Sequence, residues 1–129
     1  MFFEQLVGLF TLSLIGLLAL AACGASDSGK AAEHYVQGTV YTAVGQWQNA
    51  IMEFDESIRL DSEAADVYNN RGAVYAELDQ FQKAIGDYDE AIRIEPDLSD
   101  AYYNRAIAYG DLGGYRGLHR SSPVRRKQR

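Results

Sequence analysis

In a 129-residue chain with one Cys (Cys23) and two His (His34 and His119), catalysis or metal binding would have to start from very few side chains. One Cys forms no disulfide within the chain, and no Cys/His spacing fits a zinc cluster. Two acidic runs, Asp55-Glu56 and Asp87-Tyr88-Asp89-Glu90, carry the oxygen ligands that calcium prefers. A calcium loop, however, presents its ligands at alternate positions around a Gly turn. Both runs instead fall inside helical apolar periods, where successive side chains point to different faces. They are expected on a solvated face. Neither His has an evident Ser or Cys partner for nucleophilic catalysis. Gly110, Gly113, Gly114 and Gly117 do not follow a strand, so they make no phosphate loop and read as a helix end. No metal, no cofactor and no enzymatic activity is implied.

The elements around these residues fall into unlike segments. A hydrophobic content of 47% with only 2 Pro argues for order along most of the chain, and the length allows one domain at most. Residues 1–22 carry one charged side chain, Glu4, whereas residues 31–115 carry 16 Asp/Glu against 5 Lys/Arg. Residues 116–129 carry 6 Lys/Arg and no acid. The formal charge of -6 thus hides an acidic body and a basic tail. An acidic body argues against nucleic acid as a partner, since such binders carry a basic stripe across the fold.

From Leu6 to Ala22 the chain is an apolar run of 17 residues, at the lower edge of what spans a bilayer. It ends in Leu20-Ala21-Ala22-Cys23, which resembles the lipobox of bacterial lipoproteins. The resemblance implies that small side chains at Ala21 and Ala22 admit a membrane-embedded peptidase, that the Cys23 thiol takes up a diacylglyceryl group, and that cleavage leaves lipidated Cys23 as the N-terminus. The segment departs from the pattern in having no Lys or Arg in residues 1–5. An upstream start codon and an uncleaved single-pass anchor both stay open. Each reading places the rest of the chain outside the cytoplasm, lipid-anchored or membrane-anchored in a bacterial cell envelope. Residues 23–30 have tether composition, and Gly24–Lys30 at full stretch reach roughly 25 Å.

Sliding the chain over itself reveals a period of 34, with 12 of 34 positions identical between residues 31–64 and 65–98. Gly38 recurs as Gly72, Tyr41 as Tyr75, Ala50 as Ala84, Ile51 as Ile85 and Arg59 as Arg93. A third copy from Ser99 keeps Tyr102, Asn104, Arg105, Tyr109 and Leu112 in phase and stops matching after Tyr115. Tyr68, Gly72, Tyr75, Ala84, Tyr88, Ala91 and Pro96 resemble the signature of the tetratricopeptide repeat, a helix pair. The first copy departs at His34, where the family places a packing aromatic, and at Ser62. The third departs at Ala106, which replaces the Gly. The implied fold is an all-α helix-turn-helix repeat solenoid with two full repeats (31–64 and 65–98) and a truncated third (99–115). Apolar residues at three- and four-residue spacing support helices at 31–43, 47–60, 64–77, 81–94 and 99–112. Glycine in mid-helix is costly, so Gly38 and Gly72 mark close approach between the helices of a pair, with Ala50 and Ala84 facing them. Ser99 reads as an N-cap.

By resemblance, the first helices of successive pairs line a concave groove that holds a peptide or helix. Here the groove residues would be Tyr35, Thr39, Thr42, Asn69, Ala73, Glu77, Tyr103, Ile107 and Asp111. The subgroup that clamps a C-terminal carboxylate needs Lys or Arg where Tyr35, Asp66, Asp100 and Asn104 stand, so no such clamp is expected. Two Tyr and an acidic rim suit a basic or mixed-charge peptide. Mutual packing of Tyr35 and Tyr103 within the superhelix is the alternative reading of those two side chains. The expected function is protein interaction in the envelope, as a peptide-binding module or an accessory subunit of an assembly complex. After Tyr115 the composition turns to Arg, Ser and Pro, which reads as a disordered basic tail (116–129). That tail is either a lipid-contacting arm or the mark of a truncated or frameshifted product with no selected partner. The unpaired apolar face of residues 99–112 points to self-association.

Overall fold

The computed structural model describes residues 26–120, with side chains described for residues 26–114. Segment 1–22, Cys23 and residues 121–129 lie outside the described residues. Five helices follow one another: α1 Asp27–Ala43, α2 Trp47–Leu60, α3 Ala65–Glu77, α4 Phe81–Ile94 and α5 Ser99–Arg120. There is no strand among the described residues. Each helix packs on its neighbours in sequence, while α1, α3 and α5 touch only slightly along one face. The arrangement is a solenoid of antiparallel helix pairs.

Three core clusters hold it. Ala50 and Phe54 of α2 meet Val67 and Val74 of α3, with Tyr35, Tyr41 and Trp47 packed around them. Ala84, Ile85 and Tyr88 of α4 meet Ala108 of α5. Ala65, Ala91 and Ala101 join α3, α4 and α5. Val74 and Ala108 stand 34 residues apart, and each seals the second helix of the preceding pair. Val40 is their counterpart on α1, where no such helix precedes it among the described residues, and it is exposed.

The mid-helix glycines mark close approach, but to rings rather than to small residues. A Cβ on Gly38 would lie 2.6 Å from Phe54 Cε1, and one on Gly72 would lie 2.7 Å from Tyr88 Cε1. Of the two alanines expected to face them, only Ala84 comes near: the same Cβ on Gly72 would lie 3.2 Å from the Ala84 backbone oxygen. The aromatic ring fills the space over each glycine.

The turn after each first helix needs a left-handed residue. Gly45 supplies it with φ 72°, and Asp79, at the same repeat position, is forced to φ 56°. Three expectations about boundaries change. Helix α1 starts at Asp27, inside the stretch read as tether, because the Ser26 hydroxyl accepts the Gly29 N–H and Asp27 sits favourably at the dipole's positive end. Ser99 is the first residue of α5 rather than its cap. Helix α5 also runs on to Arg120, through part of the stretch expected as a disordered tail (116–129). No proline stands before Pro123 to stop it, and Arg is a good helix former.

Candidate functional site: the cleft between α3 and α5

Helices α3 and α5 lie side by side with few contacts, and a cleft of about 660 Å³ opens between the second half of α3 and the middle of α5. Its lining is apolar along Ala73, Ala76, Phe81, Tyr88, Ile107 and Ala108, and acidic at Glu77, Asp79 and Asp111. None of these three carboxylates pairs with a cation among the described residues. Burial, reinforced by the negative charges of Asp87 and Glu77, pushes the Tyr88 phenol up to about 12. A shape of this kind offers an apolar groove with a negative rim.

Four of the nine residues expected in the groove meet here: Ala73, Glu77, Ile107 and Asp111. Asn69 is buried beneath it, its Oδ1 accepting the Asn104 amide at 3.1 Å. Tyr35 lies at a smaller cleft of about 200 Å³, together with Asp66 and Val67. Its hydroxyl accepts the Asn70 amide at 3.0 Å and its ring packs on Phe54 at 6.2 Å, not on Tyr103. Thr39 and Thr42 line neither cleft, and each hydroxyl donates to its own helix, at Val36 O and Gly38 O. Tyr103 stands fully in solvent beside the cleft. Sequence reasoning missed Ala76, Asp79, Phe81, Tyr88, Ala108 and the glycines Gly110 and Gly114 as lining. The period carried a signal for Tyr88, since a residue beneath a mid-helix glycine must sit between both helices.

The two Asn contacts form a ladder, because Asn70 to Tyr35 and Asn104 to Asn69 are the same rung one repeat apart. A second ladder fixes the convex side. Arg71 spans three helices, donating to Asp55 on α2 at 2.6 Å and to both oxygens of Asp87 on α4 at 2.8 and 2.7 Å. Arg105 repeats one arm of this by reaching Asp89 at 2.6 Å. Asp87, expected on a solvated face, is therefore buried, since the Arg71 fork satisfies both its oxygens. Burial alone would lower the Arg71 guanidinium's pKa, but its bonds to Asp87 and Asp55 hold it above the ordinary arginine value. Burial raises the Asp87 carboxyl, and Arg71 holds that rise in check. His34, the departure from the aromatic pattern, meets Glu53 at 2.7 Å. Among the described residues no group of three or more His, Cys, Asp or Glu could hold a metal ion, and no helix is long and apolar enough to cross a membrane.

Repeated helix pairs, recurring glycine-on-ring contacts and a ladder of one repeat spacing define a helix-pair repeat solenoid with a concave cleft. The chain belongs to the tetratricopeptide repeat family. Family models match it as "TPR repeat" over residues 38–79 and as "Tetratricopeptide repeat" over residues 65–98 and 87–117. Similar solved structures include the TPR domain of Arabidopsis OM64 (29% identity, TM-score 0.67), covering 70% of this chain and 74% of that one. The TPR2B domain of yeast Sti1 in complex with pHsp70 is 34% identical with a TM-score of 0.64, covering 68% of this chain and 70% of that one. The first TPR of Spaghetti (RPAP3), bound to the HSP90 peptide SRMEEVD, is 27% identical with a TM-score of 0.66, covering 69% and 71%. No curated protein sequence matches the chain.

Proposed function

We propose that this protein is a peptide-binding interaction module, held at a bacterial envelope membrane through lipidated Cys23, whose α3–α5 cleft takes an extended basic or mixed-charge peptide. One observation carries the reading: Glu77, Asp79 and Asp111, none paired with a cation among the described residues, stand around an apolar floor. A carboxylate rim of this kind attracts Lys and Arg, and the alanines and Ile107 leave room for their aliphatic stems. Complexes of similar solved structures with peptides support protein interaction as the function. The peptide SRMEEVD carries three acids and one base, the opposite of what this rim favours, so a different ligand class is expected here. The activity proposed is binding.

The anchor rests on Leu20-Ala21-Ala22-Cys23. Mass spectrometry of the N-terminal peptide tests it: a diacylated Cys23 is expected, and an intact Met1 with a free Cys23 thiol would refute it. For the cleft, capture of a Lys/Arg-containing peptide is expected to weaken about tenfold in Glu77→Lys and Asp111→Lys, while Tyr35→Ala leaves it unchanged. Equal binding by all three variants at unchanged circular dichroism would place the ligand elsewhere. A second reading, a frameshift after Tyr115, is favoured by the exposure of Tyr102 and Tyr109, which a further helix would cover. The other two frames of the DNA would then encode a helix resembling Gln82–Ile94.

A further inference from the structure

The outward stripe of α5 is largely uncovered among the described residues; of its large members Tyr102 alone has partners there, its hydroxyl donating to Pro96 O at 3.0 Å and its ring lying 5.3 Å from the Arg105 guanidinium. Its large members are exposed: Tyr102 at 42%, Tyr103 at 69%, Ile107 at 46% and Tyr109 at 55%. Its small members are Ala106 and three glycines, and a Cβ on Gly110, Gly113 or Gly114 would meet no atom within 4 Å. Glycine is the poorest helix former after proline. At Gly38 and Gly72 a ring explains the missing side chain; on α5 the same explanation needs a neighbour from outside the described residues. Gly86 on α4 is open too, but its helical neighbours Gln82, Lys83, Asp89 and Glu90 are polar.

We infer that this stripe is an isologous contact for a second copy of the same chain, packed antiparallel on α5. The order of large and small residues selects that occupant. In an antiparallel pair of identical helices, each side of the stripe faces the same side of its partner, read in reverse. With the two-fold axis at the level of Ala108, Tyr103 comes opposite the partner's Gly114 and Ile107 opposite the partner's Gly110 on one side. On the other side Tyr102 comes opposite the partner's Gly113 and Tyr109 opposite the partner's Ala106. All four large residues meet a small one in a single register, and the two sides agree on where the axis falls. A parallel copy in register would set each Tyr against itself. An unrelated helix has no reason to match a pattern that complements its own reverse.

The contact adds to the cleft reading without resting on it, and it has a consequence for that reading. Ile107, Gly110 and Gly114 also line the α3–α5 cleft, so peptide and second copy compete for one edge of α5.

Sedimentation of the full chain in a non-ionic detergent, in a Cys23→Ser background, tests the contact. A single helix pair lies at the small end of specific interfaces, so a dimer with a dissociation constant on the order of 10 µM is expected. Gly113→Arg puts bulk where the monomer has open space, so the fold survives while the dimer weakens at least tenfold. Mixing Ala106→Cys with Tyr109→Cys under mild oxidation should give the mixed disulfide in excess over either homodisulfide, with Met52→Cys as an exposed control that does not cross-link. A monomer at every concentration, or association that ignores Gly113→Arg as micelle-driven association would, overturns the inference. Failure of the cleft reading looks different: peptide binding would be absent in wild type and Gly113→Arg alike, whatever the dimer does.

Discussion

Tyr68 and Tyr75 on α3 occupy the same repeat positions as Tyr102 and Tyr109 on α5, yet the first two are half-buried and the last two are exposed. The contrast runs through the whole of both helices. Gly72 lies under the Tyr88 ring, while Ala106 faces solvent. Arg71 is clamped by two carboxylates and stacks near Tyr68 and Tyr75 at 5.6 and 5.8 Å, whereas Arg105 holds one carboxylate on the surface. Asp79 turns the chain in the left-handed region, while Gly113, its counterpart, stays helical. In a solenoid the same residue is core or surface according to whether a following helix covers it, because each unit buries its apolar face only against its neighbours.

The sharpest test of that contrast is steric. Gly72→Leu drives a side chain into the Tyr88 ring and is expected to cost about 3 kcal/mol, a fall in Tm of 10 °C or more for a domain of this size. Ala106→Leu on α5 meets only solvent in the monomer and should change stability by less than about 0.5 kcal/mol. Equal effects in thermal melts would erase the distinction between the two helices.

Charge gives the next comparison. Asp87→Ala leaves the Arg71 guanidinium half-buried with Asp55 alone, and a loss of roughly 2–3 kcal/mol is expected in urea unfolding, less than a fully buried pair because Asp55 remains. Asp89→Ala removes a surface partner of Arg105 and should cost under about 1 kcal/mol.

Alkaline pH tests the burial of Tyr88. Its phenol sits at about 12 in the folded chain against about 10 unfolded, so its contribution is complete below pH 10 and is lost as pH rises from there through 12. About 2 kcal/mol of stability is at stake, and Tyr88→Phe should remove that part of the pH dependence.

The smallest expected effect is a gain. Asp79→Gly relieves a left-handed backbone that Gly45 adopts freely, and should raise stability by up to about 1 kcal/mol. A loss would mean that the Asp79 side chain makes a contribution its exposure does not suggest.

The helices were legible in the sequence because the 34-residue period and the apolar spacing agree, and α2 and α4 fall at the predicted residues. What the period could not give were the ends, where the repeat stops. Ser26-Asp27 is a cap followed by an acid, a local signal hidden by the small polar residues around it, and α5 outlasts the repeat by running through Gly110, Gly113, Gly114 and Gly117, which read as a helix end. Four of the cleft's twelve lining residues were legible for a similar reason. Ala73, Glu77, Ile107 and Asp111 follow from helix phase alone, whereas Tyr88 and Phe81 reach the cleft from a different helix, and phase within α3 or α5 says nothing about them. Thr39 and Thr42 have the right phase, but they turn their hydroxyls back onto their own carbonyls, a local competition that spacing does not reveal. Asp87 looked solvated because its partner, Arg71, lies 16 residues away.

The claim that the α3–α5 cleft is the binding surface is tested most directly by an NMR titration of the ¹⁵N-labelled protein with a short Lys/Arg-containing peptide at low and high salt. Shifts confined to the amides of Ala73, Glu77, Asp79, Ala108 and Asp111, weakening as salt rises and absent with the Glu-substituted peptide, are the expected result. Shifts spread over the convex residues of α2 and α4, or equal responses to both peptides, would contradict it.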